Sequence, residues 1–142
     1  MNFRSIKIQE NEIENIFNQY NDSIIMVVSP SCNINMKAGS YHAALIYHKY
    51  RKIYCGQVNN VNSANKCAIY GLIEVAKHIT SPKDIVIMTA SSFGFKKAIS
   101  FKGVNSEIWN SLFSILEEKG CENVTEVVVV GGGVQIASIC RE

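Results

Sequence analysis

The chain has little of what would mark a secreted, membrane-embedded or metal-caged protein. Its 142 residues include five cysteines (Cys32, Cys55, Cys67, Cys121 and Cys140), an odd number with no C-x-x-C spacing. That pattern argues against a disulfide framework and a zinc cage, and implies free thiols in a reducing compartment, cytoplasm or nucleus. No apolar run approaches the roughly 20 residues needed to cross a bilayer. Met1–Asn18 is polar and mixed in charge, unlike a secretory leader. A net charge of +2 provides no global basic field to announce nucleic-acid binding, although a local basic patch remains compatible with it. There is no internal repeat or low-complexity tract, and one of only two prolines, Pro82 after Ser81, stops a helix.

What remains is the composition of one globular domain: 47% hydrophobic and 18% charged residues, enough for a core of its own. Ile8, Ile13, Ile16 and Phe17 recur at helical spacing and predict a short amphipathic helix within Gln9–Tyr20. Residues 1–22 therefore read as an N-terminal extension, with the main domain at 23–142. Ile24–Val28 predicts a buried strand, followed by a turn-rich stretch over Ser29–Ser40. Strands are expected at Tyr41–Tyr47 and Lys52–Val58, joined by a turn at Lys49–Arg51. Ser63 is placed to cap a helix over about 64–79, which Ser81–Pro82 ends. A strand at Asp84–Thr89, helices near Ser92–Phe101 and Ser106–Lys119, and a strand at Thr125–Val130 complete the pattern. Gly131–Gly133 breaks the last strand. The order βββαβααβ describes an α/β domain with a mixed five-stranded sheet flanked by helices.

Several short motifs, in order over roughly residues 24–133, then resemble the ribonuclease H fold, closest to the type 1 (bacterial and retroviral) ribonucleases H. Ser29–Pro30–Ser31–Cys32 stands at that family's D-G-S-C, and Gly39–Ser40–Tyr41–His42–Ala43 at its G-G-Y-G-A. Ser63–Ala64–Asn65–Lys66 resembles its T-N-N-R, Thr89–Ala90–Ser91 its T-D-S, and Asn105–Ser106–Glu107–Ile108–Trp109 its N-K-D-L-W. The family cleaves the RNA strand of hybrids with two magnesium ions held by four carboxylates. Here the matching positions are Ser29, Ala68 (Cys67 if the register slips by one) and Ala90, none of them acidic. The fourth ligand would begin a final helix, expected to be short or absent, and the family's mobile-loop histidine would fall near Gly133. Paired divalent cations need clustered carboxylates, so the resemblance implies a pseudoenzyme with no metal and no cofactor.

The resemblance also implies a nucleic-acid surface. Ser63, Lys66 and Asn105 match the family's phosphate seat, where a hydroxyl, a cation and an amide converge at a helix start. Phe101 matches an aromatic of the DNA-strand channel, and Asn35 and Ser92 match positions touching the RNA strand. Plain structural readings fit the same residues: Ser63 and Asn105 as helix caps, Lys66 as a solvated side chain, Phe101 as core. Only Lys102–Val104 separates Phe101 from Asn105, so the family's basic loop is missing.

Other motifs carry less. Gly131–Gly133 with Ala137 imitates a dinucleotide-binding turn, but a real fingerprint needs a full helix, a second parallel strand and an acidic ribose partner after it, and only nine residues follow Gly133. His42, His48 and His78 show no ligand partners at metal-binding spacing. Lys96–Lys97 and Lys49–Arg51–Lys52 read as solvated faces that could extend a phosphate-tracking surface. Cys32 and Cys67 are expected near each other at the degenerate centre, as small buried fillers.

Two functions from different classes follow. One is a structural or protein-interaction module in a nucleic-acid-handling assembly, its partner contacted through the N-terminal helix. The other is a non-catalytic binder of RNA–DNA hybrid or double-stranded RNA. A divergent, still active nuclease is third. The abundance of Asn, Ile and Lys fits an AT-rich genome, as in many viruses and mobile elements.

Overall fold

Hydrogen bonding along the chain extends the expected strands and adds one. A computed structural model describes residues 1–141. They form β1 (Asn2–Gln9), α1 (Ile13–Gln19), β2 (Ile24–Asn33), β3 (Ala38–Tyr47), β4 (Tyr50–Asn59), α2 (Ala64–Ala76), β5 (Ile85–Thr89), α3 (Phe95–Ile99), α4 (Ser106–Glu118), β6 (Asn123–Val130) and α5 (Gly133–Ile139). The strands make one mixed sheet in the order β1-β6-β5-β2-β3-β4. β2, β3 and β4 are antiparallel neighbours, while β2–β5, β5–β6 and β1–β6 pair in parallel. The protein is therefore α/β, with a six-stranded rather than five-stranded sheet.

The sixth strand is a correction with a clear cause. Residues 2–9 alternate, with Phe3 packing toward one face and Ile6 and Ile8 toward the other. The helical reading absorbed Ile8 into the pattern that runs on through Ile13 and Ile16. Only the ladder from Asn2↔Asn123 to Gln9↔Val130 reveals the strand. The expected N-terminal extension thus contributes β1 as well as α1, which lies on the same sheet. The stretch Ser29–Ser40 is likewise mostly strand: the β2–β3 ladder continues to Asn33↔Ala38, leaving a turn at 34–37. Beyond Val28 these strands rise past the core, so hydrophobic alternation no longer marks them.

The two sheet faces carry separate cores. α2, α3 and α4 cover one, with Met26, Val28, Leu72, Ile87, Phe95, Trp109 and Leu116 buried together. α1 and α5 cover the other, over Ile25, Val27, Met88, Val127 and Val129. Trp109 is fully buried and its indole N–H donates to the Phe93 carbonyl at 2.7 Å. Its ring packs 5.4 Å from Phe95 and 5.8 Å from Phe113. At the end of α2, the Lys119 ammonium donates to the Lys77 and Ile79 carbonyls at 2.8 and 2.7 Å, satisfying acceptors that a helix end leaves open.

Candidate functional site

The parallel β2–β5 ladder runs from Ile24↔Ile85 to Val27↔Met88, and Ser29 and Ala90 each follow its last pair by two residues. Alternation from Val27 turns Ser29 toward the α1/α5 face, and Ala90 packs on that same core. Ala68 belongs to α2 itself, fully buried where that helix packs on the opposite face of the sheet. Two of the three positions therefore lie beyond the same end of the β2–β5 ladder, and the third is sealed into the core. Ser29 pairs across the sheet with His42. Among the described residues no three His, Cys, Asp or Glu side chains cluster as cation ligands would. Glu74 does meet His78 at 3.5 Å, an i,i+4 carboxylate partner that sequence reading missed, and Asp22 lies 3.8 Å from His48. All four groups are substantially exposed, where such pairs contribute little.

The phosphate-seat residues are spread over two helix starts. Ser63 is the N-cap of α2, and its hydroxyl accepts the Asn65 N–H at 3.1 Å. Asn105 sits at the N-cap position of α4 but makes no side-chain cap hydrogen bond. It is buried, and its Oδ1 has no partner among the described residues. Lys66 lines a cleft of about 420 Å³ between α2 and β4, together with Tyr41, Asn59, Tyr70, Glu74 and Lys77; neither Ser63 nor Asn105 lines it. Asn35 is exposed in the β2–β3 turn, and half-buried Ser92 accepts the Phe95 N–H through its carbonyl.

The cleft itself was not foreseen. Tyr41 forms part of its lining because two glycines give it room. A Cβ on Gly56 of β4 would lie 2.4 Å from the Tyr41 hydroxyl, and one on Gly71 of α2 would lie 2.9 Å from its ring. Burial, then the charges of Glu74 and Cys55, push the Tyr41 phenol above its ordinary pKa.

Phe101 has the most informative geometry of the predicted residues. It is 77% exposed, so it is not core. It also occupies the left-handed region, with φ +57°. Its N–H donates to the Ala98 carbonyl at 3.0 Å, and the Lys102 N–H donates to the Lys97 carbonyl at 2.9 Å. These paired bonds close α3 in a Schellman motif whose left-handed position normally carries glycine, because a Cβ there costs roughly 1–2 kcal/mol. Phe101 thus departs from a local rule while burying little apolar surface. Lys96, Lys97 and Lys102 are exposed near it, and residues 91–104 contain no acid.

The acid that sequence reading passed over is Glu126. It lies on β6 between Ser5 of β1 and Ile87 of β5, with no exposed surface. The Ser5 hydroxyl donates to its Oε1 at 2.7 Å, while Oε2 has no partner among the described residues. Burial pushes its pKa from 4.5 up to about 7, against the Ser5 hydrogen bond and the positive charges of Lys96 and Lys7, which pull it down. A single acid inside Val124–Val130 was the available signal, since both faces of that strand are covered. No family model matches the chain, and no curated protein matches it.

Proposed function

We propose that this chain is a ribonuclease H-like domain without hydrolytic activity, serving as a structural or protein-interaction module in a nucleic-acid-handling assembly. The resemblance of its motifs is supported by the sheet. Apart from β1 and the short helices α1 and α5, the elements follow the order βββαβααβ that the resemblance implies, with β2, β3 and β4 antiparallel and β5 and β6 added in parallel on the β2 side. Ser29, Ala68 and Ala90 supply no carboxylate for two divalent ions. The observation that carries the interaction role is Phe101. An exposed aromatic held at a glycine position contributes nothing evident to the fold, and such local violations are expected at functional surfaces.

A second reading, direct binding of RNA–DNA hybrid or double-stranded RNA, is favoured by the lysines around that ring. A basic surface with an aromatic tracks a phosphate backbone while stacking on a sugar or base. One experiment separates the two. Electrophoretic titration at low salt against hybrid, duplex RNA, duplex DNA and single strands is run with the native chain, Phe101→Gly and Lys66→Ala. Direct binding predicts a salt-dependent complex that Phe101→Gly weakens, with the salt slope reduced by about one counterion in Lys66→Ala. Failure to bind any of these at low salt removes the second reading. In the same mixtures, magnesium or manganese should produce no cleavage of the hybrid. Metal-dependent cleavage by protein free of host nuclease would overturn the pseudoenzyme.

A further inference from the structure

Cys32 is half-buried near the outer end of β2, and Cys67 is fully buried in the first turns of α2. Two separate features bring their sulfurs together. Cys32 pairs with Gly39 in the β2–β3 ladder, and directly opposed residues of antiparallel strands project to the same face. A Cβ on Gly39 would lie only 2.4 Å from the Cys67 sulfur. Cys67 therefore fills the space that Gly39 leaves open, on the face Cys32 shares. The Cys67 thiol is also raised above its ordinary pKa by burial, then by the neighbouring charge of Cys32 and by a side-chain hydrogen bond with it. The Cys32 thiol lies 3.9 Å from the Val61 carbonyl, in the segment that leads into α2.

We propose that Cys32 and Cys67 form a dithiol site that a hydroperoxide oxidises to a reversible intrachain disulfide. The two thiols have different access, and that sets the order. The Cys32 thiol gives up its proton and its sulfur attacks one peroxide oxygen; the O–O bond breaks, Cys32 becomes a sulfenic acid, and the hydroxide that leaves hydrogen peroxide takes up that proton as water. The Cys67 sulfur then attacks the Cys32 sulfur as its own proton departs. The S–O bond breaks, and the hydroxyl leaves with that proton as a second water. The two thiols together lose two electrons, and the peroxide gains them. A dithiol reductant reverses the bond. Once formed, it ties the outer end of the β2–β3 hairpin to the start of α2, beside the Ser63 cap and Lys66.

The test uses the full chain carrying Cys55→Ser, which removes the one exposed thiol capable of linking two copies. After brief exposure to hydrogen peroxide, denatured free thiols should fall from four, the five native cysteines less Cys55, to two. A non-reducing digest should yield one cross-linked species joining the Cys32 and Cys67 peptides, and dithiothreitol should restore all four thiols. The melting temperature should rise on oxidation and return on reduction. Cys32→Ser, at a half-exposed position, should abolish the loss of thiols and carries the test even if Cys67→Ser fails to fold. Progression of Cys32 to sulfinic acid while Cys67 stays alkylatable would overturn the proposal. So would a disulfide joining any other pair.

Discussion

Glu126 makes the stability of this fold depend on pH in the direction opposite to that of most carboxylates. Its pKa is raised from 4.5 to about 7 by burial. Between those values the folded state holds a proton that the unfolded chain releases, so stability falls as pH rises. The contribution is fully present below pH 4.5 and is lost as pH rises through about 7. At 1.36 kcal/mol per pKa unit, the loss is on the order of 3 kcal/mol. Glu126→Gln keeps the shape and an oxygen for Ser5 but cannot ionise. Urea unfolding followed by Trp109 fluorescence, at intervals from pH 4.5 to 8.5, should show the native chain losing stability relative to the variant across that window. Near pH 4.5 the variant should be equal or slightly weaker, because its buried amide brings two N–H donors where the acid has one O–H. Above pH 7.5 it should be the more stable protein. Parallel curves, or a native chain gaining on the variant as pH rises, would show that Glu126 is ionised in the fold without penalty.

Trp109→Ala should cost about 3–5 kcal/mol, from lost transfer energy, the cavity and the unpaired Phe93 carbonyl; chemical denaturation monitored by circular dichroism would measure it, and a loss below about 1 kcal/mol would mean the helix is not anchored there. Phe101→Gly should stabilise the fold by about 0.5–1 kcal/mol, because relief of the left-handed Cβ exceeds the extra chain entropy of glycine. Equal or lower stability in that variant would mean the exposed ring supports the fold after all.

Legibility in the sequence followed burial. Strands covered on both faces, such as Ile85–Thr89, and the amphipathic helix holding Trp109 were evident from periodicity. β1 was not, since its short alternation runs into a helical one, and its identity depends on a partner strand more than a hundred residues away. The outer β2–β3 hairpin was missed because polar residues beyond the core are held by backbone hydrogen bonds that leave no hydrophobic pattern. Candidate site residues were placed through motif resemblance, so their surroundings could not be foreseen. Ser63 proved to be a cap, Asn105 a buried amide without a cap bond, and Phe101 an exposed ring at a glycine position. The adjacency of Cys32 and Cys67 was legible because a strand end and the start of the helix packed on it meet in any such unit.

The sixth strand and the buried acid belong to one argument. Without β1, β6 would be an edge strand, and Glu126 would lose Ser5, the one side-chain hydrogen-bond donor it has among the described residues. Docking of β1 brings that donor and adds to the burial that opposes the charge. The two effects respond differently to Ser5→Ala. Above pH 7.5, where Glu126 is ionised, the lost bond is charge-assisted and worth about 1.5–3 kcal/mol; near pH 4.5 it joins neutral groups and is worth about 0.5–1.5 kcal/mol. Ser5→Ala should therefore destabilise the protein more at high pH than at low, and raise the Glu126 pKa further, since the Ser5 bond lowers it. Carbon-detected NMR of the Glu126 carboxyl would follow the titration directly, and urea unfolding at the two pH values would give the difference in cost. An equal cost at both, with an unmoved titration, would mean that Ser5 holds β1 in register without responding to the charge on Glu126.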